Sequence, residues 1–172
     1  MPLKKFPHFK QLDQMDCGPT CLRMVAKFYG RSYSTSELRN KSFITREGVS
    51  LLGISDAAEA IGFRTIGVKI PFNKLVDEAL LPCIVHWYQR HFVVVYKITK
   101  TNVFVADPAA GLITFTKEEF KKGWHSTKDN GRGCKVNCVK VGQTLTLTHN
   151  EKRRAIQFRG NQEESPGAVP LG

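Results

Sequence analysis

The chain has no long hydrophobic run. Its longest apolar stretch follows His91 and is much shorter than the roughly 20 residues that cross a bilayer. The N-terminal residues hold too few apolar side chains for the hydrophobic segment of a signal peptide. No Gly-x-x-x-x-Gly-Lys-[Ser/Thr] motif occurs, so these residues predict no ATP site and no cofactor. We therefore expect a domain with neither a membrane span nor an export signal.

Acidic residues are few, since 15 Asp and Glu stand against 26 Lys and Arg and give a net charge of +11. The basic residues are spread along the chain, without an aromatic-interleaved cluster or a known nucleic-acid module. Both absences argue against nucleic-acid binding. We interpret the excess charge as a solvated face that attracts acidic peptides or anionic lipid head groups.

The five cysteines are an odd number, which favours a reducing compartment and unpaired thiols. Cys21 and Cys83 lie among apolar residues and are expected to be buried. One further group has the loose spacing of zinc ligands, namely Cys134, Cys138, His125 and His149. Because its neighbours are ordinary polar residues, we predict no metal site.

Cys17 occupies the most informative position in the chain. It is followed by Gly18 and Pro19, and proline is favoured in the first turn of a helix. Apolar residues at helical spacing then continue to Gly30, a typical C-terminal cap. Backbone N–H groups and the helix dipole converge at such a start and favour a thiolate. Asp16 could cap this helix, but its charge would oppose the thiolate, so we assign it a structural role.

A nucleophilic thiolate needs a base and a group that orients the base. His91 begins an apolar, β-branched run over residues 91–98, and Asp107 ends a second such run over residues 102–107. The three residues between the runs are enough for a hairpin turn. Antiparallel pairing would bring His91, at the start of one strand, beside Asp107 at the end of the next.

Gln11 precedes Cys17 by six residues and carries an amide donor. Such a donor suits an oxyanion hole completed by the backbone N–H of Cys17. Taken singly, each candidate also fits an ordinary role: a buried thiol, a hydrogen-bonded strand histidine, a turn aspartate or a surface amide. The four residues in this order, with these neighbours, indicate catalysis.

This order of Gln, Cys, His and Asp resembles that of papain-like thiol proteases. Three motifs are similar to the C39 peptidase family, the N-terminal cytosolic domains of bacterial peptidase-containing ABC transporters: Gln-x-x-x-x-Asp-Cys-Gly-Pro-Thr-Cys-Leu, His-Phe-Val-Val-Val and Asp-Pro-Ala. The resemblance covers residues 6–124. It implies that Cys17 is the nucleophile, His91 the general base and acid, Asp107 the orienting group and Gln11 the oxyanion donor.

The resemblance also implies a function. It is that of a cysteine endopeptidase which removes double-glycine-type leader peptides from bacteriocin-like or microcin-like precursors, coupled to export by an ABC transporter. The implied partners are the leader peptide and the membrane-spanning and ATPase domains, with ATP bound in the nucleotide-binding domain. The implied location is the cytoplasmic side of the bacterial inner membrane. A freestanding thiol hydrolase and a non-catalytic substrate-binding module remain as alternatives, and the intact Cys17 argues against the second.

A Gly-Gly cleavage site has no side chains to grip, so affinity must come from elsewhere in the leader. The resemblance implies an amphipathic leader helix in an apolar groove. Residues 54–63 or 68–70 are candidates for its lining, and an ordinary core is the alternative. Trp87 and Tyr88, close before His91, are candidates for a wall of the cleft.

The predicted fold is α+β and papain-like, with a helical lobe that carries the nucleophile packed on an antiparallel β-sheet lobe. We predict helices over 17–29, 34–41, 50–61, 72–80 and 116–124, and strands over 63–69, 83–87, 91–98, 103–106 and 112–115. The peptidase domain is predicted over 1–124, extending to about 150 if a final strand exists, and 150–172 as a linker or disordered tail. After residue 124 apolar alternation is weak, so the tail fits either a divergent edge strand with a linker or partly non-native sequence.

Overall fold

The computed structural model describes residues 5–46, 48–78, 81–88, 90–124 and, for its backbone, 135–142. A 3-10 turn (Gln14–Asp16) leads into the first helix. The helices are α1 (Cys17–Phe28), α2 (Thr35–Lys41), α3 (Leu51–Ala60), α4 (Phe72–Glu78) and α5 (Lys117–Trp124). The strands are β1 (Arg64–Pro71), β2 (Cys83–Trp87), β3 (His91–Ile98), β4 (Asn102–Asp107), β5 (Gly111–Thr116) and β6 (Lys135–Gly142). None of these described helices has both the length and the apolarity to span a membrane.

Local sequence signals set where the helices begin. The side chain of Ser34 accepts from the backbone N–H of Glu37, and the Glu37 carboxylate accepts in return from the Ser34 N–H. This reciprocal capping box satisfies two donors that a helix start otherwise leaves unpaired. The Ser50 hydroxyl likewise accepts from the N–H of Gly53 and begins α3. The predicted starts of both helices are confirmed.

Within the described part of the chain the sheet has six strands, and all of its pairs are antiparallel, in the order β1-β6-β2-β3-β4-β5. A strand does follow residue 124, but the suggested edge position is wrong, because β6 lies inside the sheet. It pairs along its whole length with β1 and also with the first half of β2. Of the loose cysteine and histidine group, Cys134, His125 and His149 fall outside the described residues.

Both faces of the sheet are covered by helices. On one face α1 and α3 pack against Ile84, Phe92 and Val94. On the other, Leu75 of α4 and Phe120 and Trp124 of α5 pack against the alternate strand positions. Since side chains of successive strand residues point to opposite faces, β3 must be apolar at consecutive positions. The predicted α+β class is confirmed, with α4 and α5 forming a second helical layer.

Candidate active site

Cys17 is the first residue of α1 and is buried. The next position leaves little room for a side chain, because a Cβ on Gly18 would collide with the side chain of Val49 and lie 2.9 Å from Cδ1 of Ile54. The start of α1 therefore packs tightly against the segment that enters α3. Asp16 makes no side-chain cap for α1, so that suggested role is wrong; its carboxylate forms an ion pair with Arg39 at 3.2 Å.

The pairing of β3 with β4 brings His91 and Asp107 together. Val94 lies opposite Ala106, so the end of β4 runs alongside the start of β3. The distance from His91 Nε2 to Asp107 Oδ1 is 2.8 Å. A carboxylate only accepts, so Nε2–H is the donor. Nδ1 is then the ring nitrogen left for Cys17, which is also a hydrogen-bond partner of His91.

The environment of His91 favours its protonated form. Burial by itself lowers the pKa of the imidazole, but hydrogen bonds to Asp107 and Cys17, and the charges of both partners, raise that pKa from 6.5 to about 9. Burial also tends to raise the pKa of Asp107, but hydrogen bonds from His91 and from the N–H of Ala109 hold it below its ordinary value. A carboxylate and an imidazolium therefore coexist near pH 7, as a thiolate–imidazolium pair requires.

Gln11 lies beside the turn that follows Asp107. Its backbone N–H donates to the carbonyl oxygen of Pro108 at 2.9 Å. Its side-chain Oε1 is buried and has no hydrogen-bond partner among the described residues. The fold thus places Gln11 and Asp107 close together, although the chain separates them by the whole of the first helical layer and most of the sheet.

A cleft of about 490 Å³ opens at Cys17. Its walls are formed by Asp13, Gln14, Met15, Cys17, Arg46, Gly48, Val49, His86, Arg90 and Phe92. Cys17 is the one predicted site residue in this lining. Gln11 is absent from the lining, whereas Gln14, the nearby amide to which no role was assigned, is part of it. Sequence reasoning missed Arg46 and His86. Neither belongs to a motif, and only the pairing of His86 with Phe92 across β2 and β3 brings that histidine to the cleft.

The prediction that Trp87 forms a wall of the cleft is wrong. Trp87 does not wall this cleft but packs in the core on the α5 side, with its ring 5.1 Å from that of Phe120. Tyr88 is exposed and, like His91, lies outside the lining of this cleft, so its suggested place in a wall of the cleft stays a prediction. Within residues 54–63 the large apolar side chains Ile54, Ile61 and Phe63 are buried in the core, and Ile70 is buried as well. The alternative, an ordinary core, is confirmed for these side chains.

Two further thiols are buried, as predicted. Cys21 is fully inaccessible, and its Sγ–H donates to the carbonyl oxygen of Phe92 at 3.2 Å. Burial, followed by the charges of Cys17 and Asp107, raises the pKa of Cys21 well above its usual value. Cys83 is also fully buried. Cys21 thus remains a thiol at neutral pH and links α1 to β3 next to His91.

The family model of the Peptidase C39 family matches residues 5–128. The chain belongs to the Peptidase C39 family. The prediction of a papain-like cysteine protease of this family is confirmed, and so is the predicted fold. A solved C39-type structure, a double glycine motif protease from an AMS/PCAT transporter in complex with the leader peptide, is 27% identical with a TM-score of 0.72. That match covers 81% of this chain and 93% of the other.

Further similar proteins are another solved peptidase domain and two transport proteins. The peptidase domain of Streptococcus ComA is 28% identical with a TM-score of 0.70, over 81% of this chain and 99% of that one. The lactococcin-G-processing and transport ATP-binding protein LagD of Lactococcus lactis subsp. lactis is 35% identical over 66% of this chain. The colicin V secretion/processing ATP-binding protein CvaB of Escherichia coli is 29% identical over 69%. The match spans 17% of the length of each of these two transport proteins.

Proposed function

We propose that this C39 domain removes leader peptides from precursor peptides by cutting after a double-glycine pair, and that an ABC transporter exports the product. The observation that carries the proposal is the alignment of Cys17, His91 and Asp107 within the C39 fold. The names of the relatives support it, since they combine processing with transport, and one solved neighbour holds a leader peptide. On this proposal the domain works at the cytoplasmic side of the bacterial inner membrane, beside membrane-spanning and ATP-binding domains.

The proposed reaction begins with attack of the Cys17 thiolate on the carbonyl carbon of the second glycine. The carbonyl oxygen becomes an oxyanion, stabilised by the backbone N–H of Cys17 and the side-chain amide of Gln11. His91 donates the proton on Nδ1 to the departing amine, and the C–N bond breaks to leave a thioester on Cys17. His91 then removes a proton from water, which attacks the thioester and releases the leader as a carboxylic acid.

Asp107 acts through His91 throughout these steps. Its Oδ1 accepts from Nε2–H at 2.8 Å, which keeps Nδ1 directed at Cys17 and stabilises the imidazolium. The same oxygen accepts from the N–H of Ala109 at 2.8 Å, so the carboxylate itself is held in place. We therefore expect loss of Asp107 to be less damaging than loss of His91, because the orienting group does not exchange protons with the substrate.

The space around Cys17 suits a substrate without side chains at the cleavage site. Val49 and Phe92, both nearly buried, border the cleft beside the nucleophile. A glycine pair has no Cβ atoms to meet these walls, whereas branched side chains would have to displace them.

The test is to incubate the domain with synthetic precursor peptides that carry a Gly-Gly pair and to identify the products by mass. Matched peptides with Val-Val in place of Gly-Gly are the substrate control, and the Cys17→Ala protein is the enzyme control. Cleavage after Gly-Gly alone, absent in Cys17→Ala, supports the proposal. Equal cleavage of both peptides would instead favour a freestanding thiol hydrolase. Binding without any cleavage by the wild type would favour a substrate-binding module.

A further inference from the structure

The N-terminal arm, residues 5–13, makes two hydrogen bonds to the Asp107 turn, residues 107–110, which comprises the last residue of β4 and the turn after it. Nε2 of His8 lies 2.7 Å from the carbonyl oxygen of Asp107, and the N–H of Gln11 donates to the carbonyl oxygen of Pro108 at 2.9 Å. Two successive carbonyl groups of one turn are thus taken by the same arm. The turn carries the group that orients His91, and the arm carries the proposed oxyanion donor.

The chemistry of the His8 contact fixes its direction. A carbonyl oxygen only accepts, so His8 must hold a proton on Nε2. Both the neutral Nε2–H form and the imidazolium satisfy this condition, so the contact does not depend on the charge of the ring. An aromatic residue of similar shape without that N–H could not replace it, whereas a glutamine could reach with its amide N–H.

The rest of the arm is held at points that flank His8. The ring of Phe6 stacks on that of Tyr96 at 4.5 Å, and the guanidinium of Arg23 lies 3.9 Å above the ring of Phe9. These contacts attach the arm to β3 and α1. Neither contact reaches the Asp107 turn, whereas the His8 side chain contacts the backbone of Asp107 itself.

We propose that His8 is a positioning residue, whose hydrogen bond to the Asp107 carbonyl keeps Gln11 in register with Cys17 and His91. The inference rests on the proposed function, because it assumes that Gln11 stabilises the oxyanion. The backbone N–H of Gln11 has its own hydrogen bond to the turn. An arm held by this bond and by the His8 bond has less freedom to shift than an arm held by the Gln11 bond alone. An oxyanion donor displaced by a fraction of an ångström loses much of its effect, since transition-state donors act over a narrow range of geometry.

The test compares His8→Phe, which keeps the ring and removes the donor, with His8→Gln, which restores a donor. Lys10→Ala, an exposed change in the same arm, is the matched control. With a Gly-Gly precursor peptide we expect His8→Phe to lower kcat about tenfold with KM within about twofold. His8→Gln should recover at least about half of the wild-type kcat, and Lys10→Ala should retain all of it. In a Gln11→Ala background His8→Phe should cost less than about a further twofold, because both changes affect the same donor.

A second readout needs no substrate. The backbone N–H of Gln11 donates to Pro108, and its hydrogen exchange can be followed by NMR. The exchange rate should rise at least about fivefold in His8→Phe but not in His8→Gln or Lys10→Ala. If the wild type cuts no Gly-Gly peptide, the proposed function fails while the exchange measurement still decides whether His8 holds the arm. Unchanged exchange at Gln11 in His8→Phe overturns the inference. So does a loss of thermal stability shared by both His8 variants with kcat unaffected, which would show a purely structural role.

Discussion

Replacing Asp107 with asparagine should shift the alkaline limit of activity. The pKa of His91 is about 9 in the fold, against an ordinary value of 6.5, and Asp107 supplies a hydrogen bond and a negative charge toward that increase. An opposite charge at this distance raises a histidine pKa by about 1 to 3 pH units. The asparagine side chain keeps the shape and can still accept from the N–H of Ala109, but it removes the charge. We therefore expect the pKa of His91 to fall to roughly 7.5.

The consequence for rate follows from the fraction of His91 that holds its proton. At about pH 8.5 that fraction should fall from about three quarters to about one tenth, whereas at about pH 6 it stays near one in both proteins. The Asp107→Asn loss in kcat/KM should thus be about eightfold larger at the higher pH than at the lower. Loss of orientation adds a factor that is the same at both values.

The assay is cleavage of a Gly-Gly precursor peptide between about pH 5.5 and 10, with Asp56→Asn on α3 as a control outside the cleft lining. The control should keep the wild-type profile. A loss of activity in Asp107→Asn that is constant across the whole range would refute the argument, because it would show that the carboxylate does not raise the pKa of His91.

The same pKa has a consequence for stability. A histidine whose pKa is higher in the folded state stabilises the fold fully below its unfolded value, and this contribution disappears as the pH rises through the folded value. For His91 that window runs from 6.5 to about 9. The urea midpoint of the wild type should fall across this window by more than that of His91→Gln.

Three other experiments test the site. Gln11→Ala should lower kcat by roughly 10²–10³ with little change in KM, whereas Gln14→Ala should lower kcat only slightly. Gln14 lines the cleft, so the reverse result would assign the oxyanion role to Gln14. Iodoacetamide should label Cys17 much faster than Cys83, and equal rates in the folded protein would argue against an activated thiolate at Cys17. Gly18→Ala should lower the free energy of unfolding by about 1–3 kcal/mol in urea titrations, since its methyl group has no room; an unchanged midpoint would show that the neighbouring segment can move aside.

Much of the fold could be read from local sequence. The starts of α2 and α3 follow from serine caps whose partners lie three residues away, and the hairpin of β3 and β4 follows from two apolar runs with a short turn between them. The proximity of His91 to Asp107 is a consequence of that hairpin, because strand register fixes which residues meet. These features depend on interactions within about twenty residues of chain, which a single sequence expresses directly.

The position of β6 could not be obtained in this way. Its alternation is weak, and its pairing partners in β1 and β2 lie far away in the chain. The strand belongs to the interior of the sheet because its backbone N–H and C=O groups complete the ladders of two neighbours, a requirement that side chains hardly reveal. The position of Trp87 was misjudged for a related reason, since only the packing of α5, where Gly123 lets the ring approach, shows which face it covers.

By itself the sequence determined the position of Cys17 at a helix start, the hairpin that brings His91 beside Asp107, and the family. Each of these is written in contiguous motifs or in short-range register. Only the tertiary structure decided which residues border the cleft at Cys17, where β6 enters the sheet, and how the arm with His8 and Gln11 attaches to the Asp107 turn. Those arrangements depend on hydrogen bonds to backbone carbonyls and on packing between distant segments. Every residue carries the same backbone carbonyl, so no sequence pattern marks which carbonyl accepts a hydrogen bond from the arm.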